Sequence, residues 1–244
     1  CFLRKISNRK VDFCMGEHDA HRQRVYERFL NEGLAHFAEH EALEFLLYLS
    51  RARGDTNGLA HRLIDRFGSL SLVLDAPIEE LQQVSGVGKT TAVVLKFIPQ
   101  MCGYYLNNRV DERIVLDSPE KVAEYLMPKF FGKTTECLCM VPMDDKRRPM
   151  GCIFLSEGIV NAAPVSIAQI VKEAVRTHAS TVLIAHNHPR GLPLPSSDDI
   201  GTTIAISRAL DVVNIWLTDH LIIADNDYCS MRRHYPNAFI SDSL

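Results

Sequence analysis

The sequence predicts an α+β molecule, an all-helical N-terminal domain followed by an α/β domain around a central mixed sheet. Two observations predict it. Up to residue 107 the apolar residues recur at three- and four-residue spacing between Gly, Pro, Asp and Ser breaks, the period of helices buried on one face. From residue 118 onward, β-rich runs alternate with helical patterns, as in a sheet covered by helices.

The first helical run, "EHDAHRQRVYERFLNEGL" and its continuation, places Val25, Phe29 with Leu30, Leu43, Leu46 and Leu47 on such a period. "TNGLAHRLIDRFG", "IEELQQV" and "KTTAVVLKFIPQMCGYYLNN" predict further helices. Ser118 followed by Pro119 predicts a helix start that runs to about Met127, with serine as cap and proline in the first helical position. "TECLCMVPM" and "MGCIFLSEG" read as strands joined by the charged turn "DDKRRP". "SIAQIVKEAVRTH" reads as a helix, "TVLIAH" as an apolar strand, "SSDDIGTTIAISRAL" as a helix, and "VVNIWLTD" and "HLIIAD" as two strands. The domain organisation expected is a disordered lead-in over 1–14 with Met15 the natural start, a helical domain over 15–107, a linker over 108–117 and the α/β domain over 118–244.

With 46% hydrophobic and 23% charged residues in 244, the chain has the composition of an ordinary globular protein, which excludes wholesale disorder and fibrous classes. A net charge of −3 exerts no global pull on nucleic acid, so any such contact must be local. The seven cysteines are odd in number and none is paired as C-x-x-C. Cys137 and Cys139 read as small buried residues on one face of a strand, and a reducing cytoplasm is the expected compartment. Runs such as "FLLYL" are far shorter than the roughly 20 residues of a membrane span, so no membrane is expected. A homodimer is compatible with this composition. Trp216 is expected in the core, and His18, His21, His36, His40 and His61 on helix surfaces or in packing.

The chemistry concentrates in "AHNHPRGLPLPSSDD", residues 185–199. On a strand, His186 and His188 project from one face about 6–7 Å apart, so one metal can take both. Pro189 and Gly191 turn the chain, and Ser196 and Asp199 then fall in the first turn of a helix, where Asp199 can add an oxygen ligand. Two nitrogens, one carboxylate and a water make the arrangement of a catalytic zinc site, with one Zn2+ per chain. Ser-x-x-Asp is also a capping box, which explains Ser196 and Asp199 without a metal but leaves the two histidines unexplained.

"HNHPRGLPLPSSDD" fits His-x-His, seven residues, Ser-x-x-Asp, and so resembles the JAMM (MPN-type) metallopeptidase signature. With "DHLIIAD" downstream and "RFGSLSLVLDAPIEELQQVSGVGKTTA" upstream, nearly the whole chain resembles the RadC family. The resemblance implies a JAMM/MPN-like, cytidine-deaminase-like fold for 118–244, zinc on His186, His188 and Asp199, and Ser196 as donor to the oxyanion. It implies hydrolysis of amide or isopeptide bonds in a peptide substrate, and a DNA-repair association. It also implies a glutamate general base five residues before Gly158, where this sequence has Ile153. Glu157 is the nearest carboxylate to that position and the weaker candidate base, next to a turn. His220 could stand behind the metal ligands. Two functions therefore stand side by side, a zinc hydrolase and a non-catalytic DNA-associated or scaffold module whose metal stabilises the loop.

In "LQQVSGVGKTTAVVL" the order helix, Val84-x-Gly86-Val87-Gly88, helix resembles a helix-hairpin-helix element. Gly86 and Gly88 allow a tight turn, and Lys89 adds charge where backbone N–H groups can hold a DNA phosphate.

Overall fold

The computed structural model describes residues 17–51, 54–109, 113–157, 166–189 and 191–240, with the side chains of residues 17–19 and 157 outside that description. The expected lead-in over 1–14, Met15 and the Gly158 turn lie outside the described residues. The chain divides into two compact units, residues 1–98 and 99–244.

The first unit is helical: α1 (Glu17–Glu32), α2 (Glu39–Leu47), α3 (Asn57–Phe67), α4 (Leu70–Asp75), α5 (Ile78–Leu81) and the start of α6 (Lys89–Arg109). Its core is aliphatic, with Leu43, Leu47, Leu59, Leu63, Leu81 and Leu95 fully buried. One carboxylate sits within it. Glu44 accepts from Asn57 Nδ2 at 2.8 Å and Tyr48 OH at 3.1 Å, with His21 Nε2 at 3.1 Å, so its burial is compensated by hydrogen bonds. The imidazoles of His40 and His61 stack at 4.3 Å, a packing role.

The second unit carries the sheet. After α6, which continues through Asn108 and Arg109, come α7 (Pro119–Phe130), β1 (Cys137–Met143), β2 (Ile153–Glu157), α8 (Ile167–Arg176), β3 (Thr181–Asn187), α9 (Ser197–Asp211), β4 (Trp216–Ala224), β5 (Asp227–Ser230) and α10 (Met231–His234), with a closing 3-10 turn at Pro236–Ala238. Ser118 caps α7 by accepting from the Lys121 N–H, with Pro119 in the first position. The strand order is β2-β1-β3-β4-β5. β3 and β4 are parallel, with α9 between them in sequence, and the other pairings are antiparallel. One face packs Val182, Ile184 and Ile222 on Ile170, Ile206 and Leu210 of α8 and α9. The other packs Cys137, Cys139, Leu183 and Leu221 on Val122 and Leu126 of α7. Cys137 and Cys139 are the buried same-face pair that their spacing predicts.

Two expectations need correction. "VVNIWLTD" and "HLIIAD" form the single strand β4, with "VVN" left in the turn before it. The polar break is a bulge: Val182 pairs with Leu217 and Leu183 with Asp219, so Thr218 is the extra residue. Asp219 stays buried because its carboxylate accepts from Ser230 Oγ at 2.6 Å, the Arg232 N–H at 2.8 Å and the His220 N–H at 2.7 Å. Trp216, expected in the core, begins β4 and is 37% exposed.

Candidate metal centre

β3 ends where the parallel pair opens towards α9, the end of an α/β sheet where ligands are commonly held. His186 and His188 share a face there, and their Nε2 atoms lie 2.9 Å apart. Asp199 Oδ1 is 3.4 Å from His186 Nε2. Tetrahedral zinc with bonds of about 2.0–2.1 Å needs donor separations of about 3.3 Å, and these two distances bracket that value.

The hydrogen bonds behind these atoms fix where the protons are. Thr203 Oγ1 donates its proton to the Asp199 carbonyl at 2.6 Å, which makes it an acceptor towards His220 Nδ1 at 2.7 Å. His220 thus carries its proton on Nδ1 and presents a bare Nε2 to His186 Nδ1 at 2.8 Å, so His186 Nδ1 is the donor. His188 Nδ1 donates to the Leu192 carbonyl at 2.9 Å. In their neutral forms, therefore, both Nε2 atoms face each other as unprotonated lone pairs, with a carboxylate oxygen beside them. Two facing lone pairs beside a carboxylate repel one another, and a metal ion that takes all three donors relieves that repulsion. The donor set fits zinc.

Burial pushes the His186 imidazole down to about 4 and that of His220 down to about 3, so both stay neutral near pH 7, the form that ligates metal or orients a ligand. Burial raises the Asp199 carboxyl, but the neighbouring His186 and the Ser196 hydrogen bonds outweigh it and hold the group below the usual carboxylate range. Asp199 Oδ2 accepts from the Ser196 N–H at 2.7 Å and from Ser196 Oγ at 2.6 Å, while Ser196 Oγ accepts from the Asp199 N–H at 3.1 Å. The capping box is real, and it leaves Oδ1 turned to the histidines. Capping and ligation are compatible in one residue pair.

The positions that the resemblance offers for the general base, Ile153 and Glu157, both lie on β2. Ile153 pairs with Met140 and packs on the core beneath α8 and α9. The Glu157 backbone pairs with Cys137, out of step with the Leu138–His186 pair that leads to the site. A second carboxylate beside the histidines is that of Glu136, immediately before β1: a Glu136 oxygen and ring nitrogens of His186 and His188 lie within 4.8 Å of one another, a group able to hold a metal ion. Because β1 runs antiparallel to β3, the start of the first strand flanks the end of the second, and Glu136 lies two residues before Leu138, the first position paired with β3, on an exposed segment. The sequence expectations fell on β2 and did not single out Glu136. The available signal was an acidic residue opening the apolar run "ECLCMV".

In the first unit, Gly86 takes φ of +99° in the turn before α6, Gly88 follows it, and Lys89 is the first helical residue. A Cβ on Gly86 would lie 3.4 Å from an Arg51 nitrogen and 3.5 Å from one of Arg62, so two guanidinium groups flank the turn.

Comparison with known proteins decides the family. A protein-family profile described as RadC-like JAB domain matches residues 116–235. A UPF0758 protein of Ruegeria pomeroyi is 34% identical over 212 residues, covering 87% of this chain and 95% of that protein. The chain belongs to the RadC family. The RadC-like JAB domain thus holds the whole histidine–aspartate cluster together with Glu136, and the similarity to the relative extends well beyond that domain. Among the described residues, no helix is long and apolar enough to cross a membrane.

Proposed function

We propose that this RadC-family chain is a zinc-dependent hydrolase of amide or isopeptide bonds, with His186, His188 and Asp199 as ligands and Glu136 as general base. The observation that carries this reading is the convergence of two bare imidazole nitrogens and a pinned carboxylate oxygen, with a second carboxylate within 4.8 Å of the imidazoles. Zinc held there would polarise the scissile carbonyl and lower the pKa of a water at the open position. Glu136 takes the proton of the attacking water as the C–O bond forms, and returns it to the departing amine nitrogen as the C–N bond breaks. Ser196 would turn its hydroxyl proton from Asp199 to the developing oxyanion, while its backbone N–H keeps Asp199 in place. His220 and Thr203 hold His186 in the tautomer that offers Nε2. Free cysteines such as Cys137, Cys139 and Cys229 suit a reducing cytoplasm.

A panel of fluorogenic peptides and isopeptide-linked conjugates, assayed with zinc-loaded protein, tests the reading. Glu136→Gln should lower the rate by about 10²–10⁴-fold. An unchanged rate in that variant, or no turnover of any amide by zinc-loaded wild type, supports instead a module whose metal only braces the loop.

A second reading concerns the helical unit. Arg51, Arg62 and Lys89 around the Gly86 turn form a local positive patch in an otherwise slightly acidic chain. It supports DNA-backbone contact through Gly86, Gly88 and Lys89, the physical form that a DNA-repair association would take.

A further inference from the structure

The residue between the two histidines points the other way. Asn187 is 5% exposed, and its amide sits on the opposite face of β3 from the imidazoles. There it binds the backbone on both sides of Glu136: Oδ1 accepts from the Cys137 N–H at 2.7 Å, and Nδ2 donates to the Thr135 carbonyl at 3.1 Å and, more weakly, to that of Lys133 at 3.4 Å. Glu136 itself lies on an exposed segment before β1, beyond the ladder pairs that hold the rest of the strand. A carboxylate on such a segment would otherwise be free to swing away, and a base misplaced by about an ångström can lose about 10²-fold in rate.

We propose that Asn187 is the positioning residue for Glu136, a clamp that ties the segment carrying the base to the strand carrying the two metal-binding histidines. The inference rests on the reading of Glu136 as the base. One tripeptide, His186-Asn187-His188, then sets both halves of the centre, with alternate side chains reaching the metal on one face and the base-bearing backbone on the other. Asparagine suits the task because it offers an acceptor and a donor on separate atoms, whereas an ionised aspartate offers acceptors alone and the serine hydroxyl sits one bond closer to the strand.

The test uses Co2+ alone as probe, in a double-mutant cycle on the full chain. Co2+ titrations of wild type, Glu136→Gln, Asn187→Ala and the double variant are followed by visible absorption. Hydrogen exchange of the 133–137 backbone is measured in parallel on metal-free protein. Asn187→Ala should still bind Co2+, shift the spectrum towards that of Glu136→Gln, and add nothing in the Glu136→Gln background. Exchange at Cys137 should rise at least about tenfold as its acceptor is lost. Asn187→Asp, which keeps the acceptor and loses the donor, should fall between and serves if the alanine variant does not fold. A wild-type spectrum and wild-type exchange in Asn187→Ala, with Glu136→Gln altered, overturn the clamp alone. A Glu136→Gln spectrum identical to wild type overturns the base assignment, and the positioning role with it, even where exchange reveals the hydrogen bonds.

Discussion

Glu136 precedes β1 and Ile153 opens the neighbouring β2, and Glu136 is the one beside the histidines. Ile153 packs against the core between the sheet and its helices, so glutamate there would have to bury a charge among aliphatic groups. Ile153→Glu is accordingly expected to cost about 1–3 kcal/mol of stability, measured by urea unfolding, with no gain in hydrolysis. A stable, more active Ile153→Glu would return the base to β2. Ser196→Ala removes the α9 cap and should cost about 1 kcal/mol while zinc stays bound through Asp199 Oδ1. Loss of zinc from that variant would show that the cap is what turns Asp199 towards the metal.

Strands β3 and β4 carry a pH dependence that follows from the relay between them. His186 and His220 remain neutral in the fold down to about 4 and about 3, because burial opposes their charged forms, whereas in the unfolded chain each takes up a proton near 6.5. As the pH falls from about 6.5 to about 4, the unfolded chain therefore binds the extra protons, and metal-free protein loses stability through that window; above it these two groups leave stability unchanged. Chemical denaturation of chelated protein at pH 7.5, 6 and 5 should show the loss, and His220→Gln should show a shallower one. Equal stability at pH 7.5 and 5 would mean that the imidazoles are charged in the fold. The relay also marks what sequence could and could not reveal at this scale. His186, His188 and Asp199 were legible because fourteen consecutive residues hold them all on a strand, a turn and a helix start. Glu136 and Thr203 were not assigned and His220 was named only as a residue that could stand behind the ligands, because their nearness depends on how β1, β3, α9 and β4 come together, which no local pattern encodes. Asp219 misled for a related reason: a buried polar residue at a bulge looks like the end of a strand until its partners on β5 and α10 are known.

Across the whole molecule the composition carries a net charge of −3, so the proposed nucleic-acid contact is a local one, at the turn at Gly86. Lys89→Ala and Arg62→Ala should each reduce the salt dependence of duplex binding by about one phosphate contact, read as fluorescence anisotropy of a labelled duplex across a salt series. Binding that neither variant alters, or that salt does not weaken, would remove the helical unit from that role. Periodicity showed this unit to be helical, but the contact proposed for it had no signal beyond two glycines and a lysine, since the arginines that flank the turn come from distant positions. The JAB domain offers the more direct test, because two carboxylates compete for one role beside the same histidines. Zinc content by elemental analysis, compared across wild type, His188→Ala, Asp199→Ala and Glu136→Gln, separates them. The expected result is about one zinc per chain in wild type and Glu136→Gln and none in the other two. Zinc lost from Glu136→Gln but kept by Asp199→Ala would make Glu136 the ligand and contradict its role as the base.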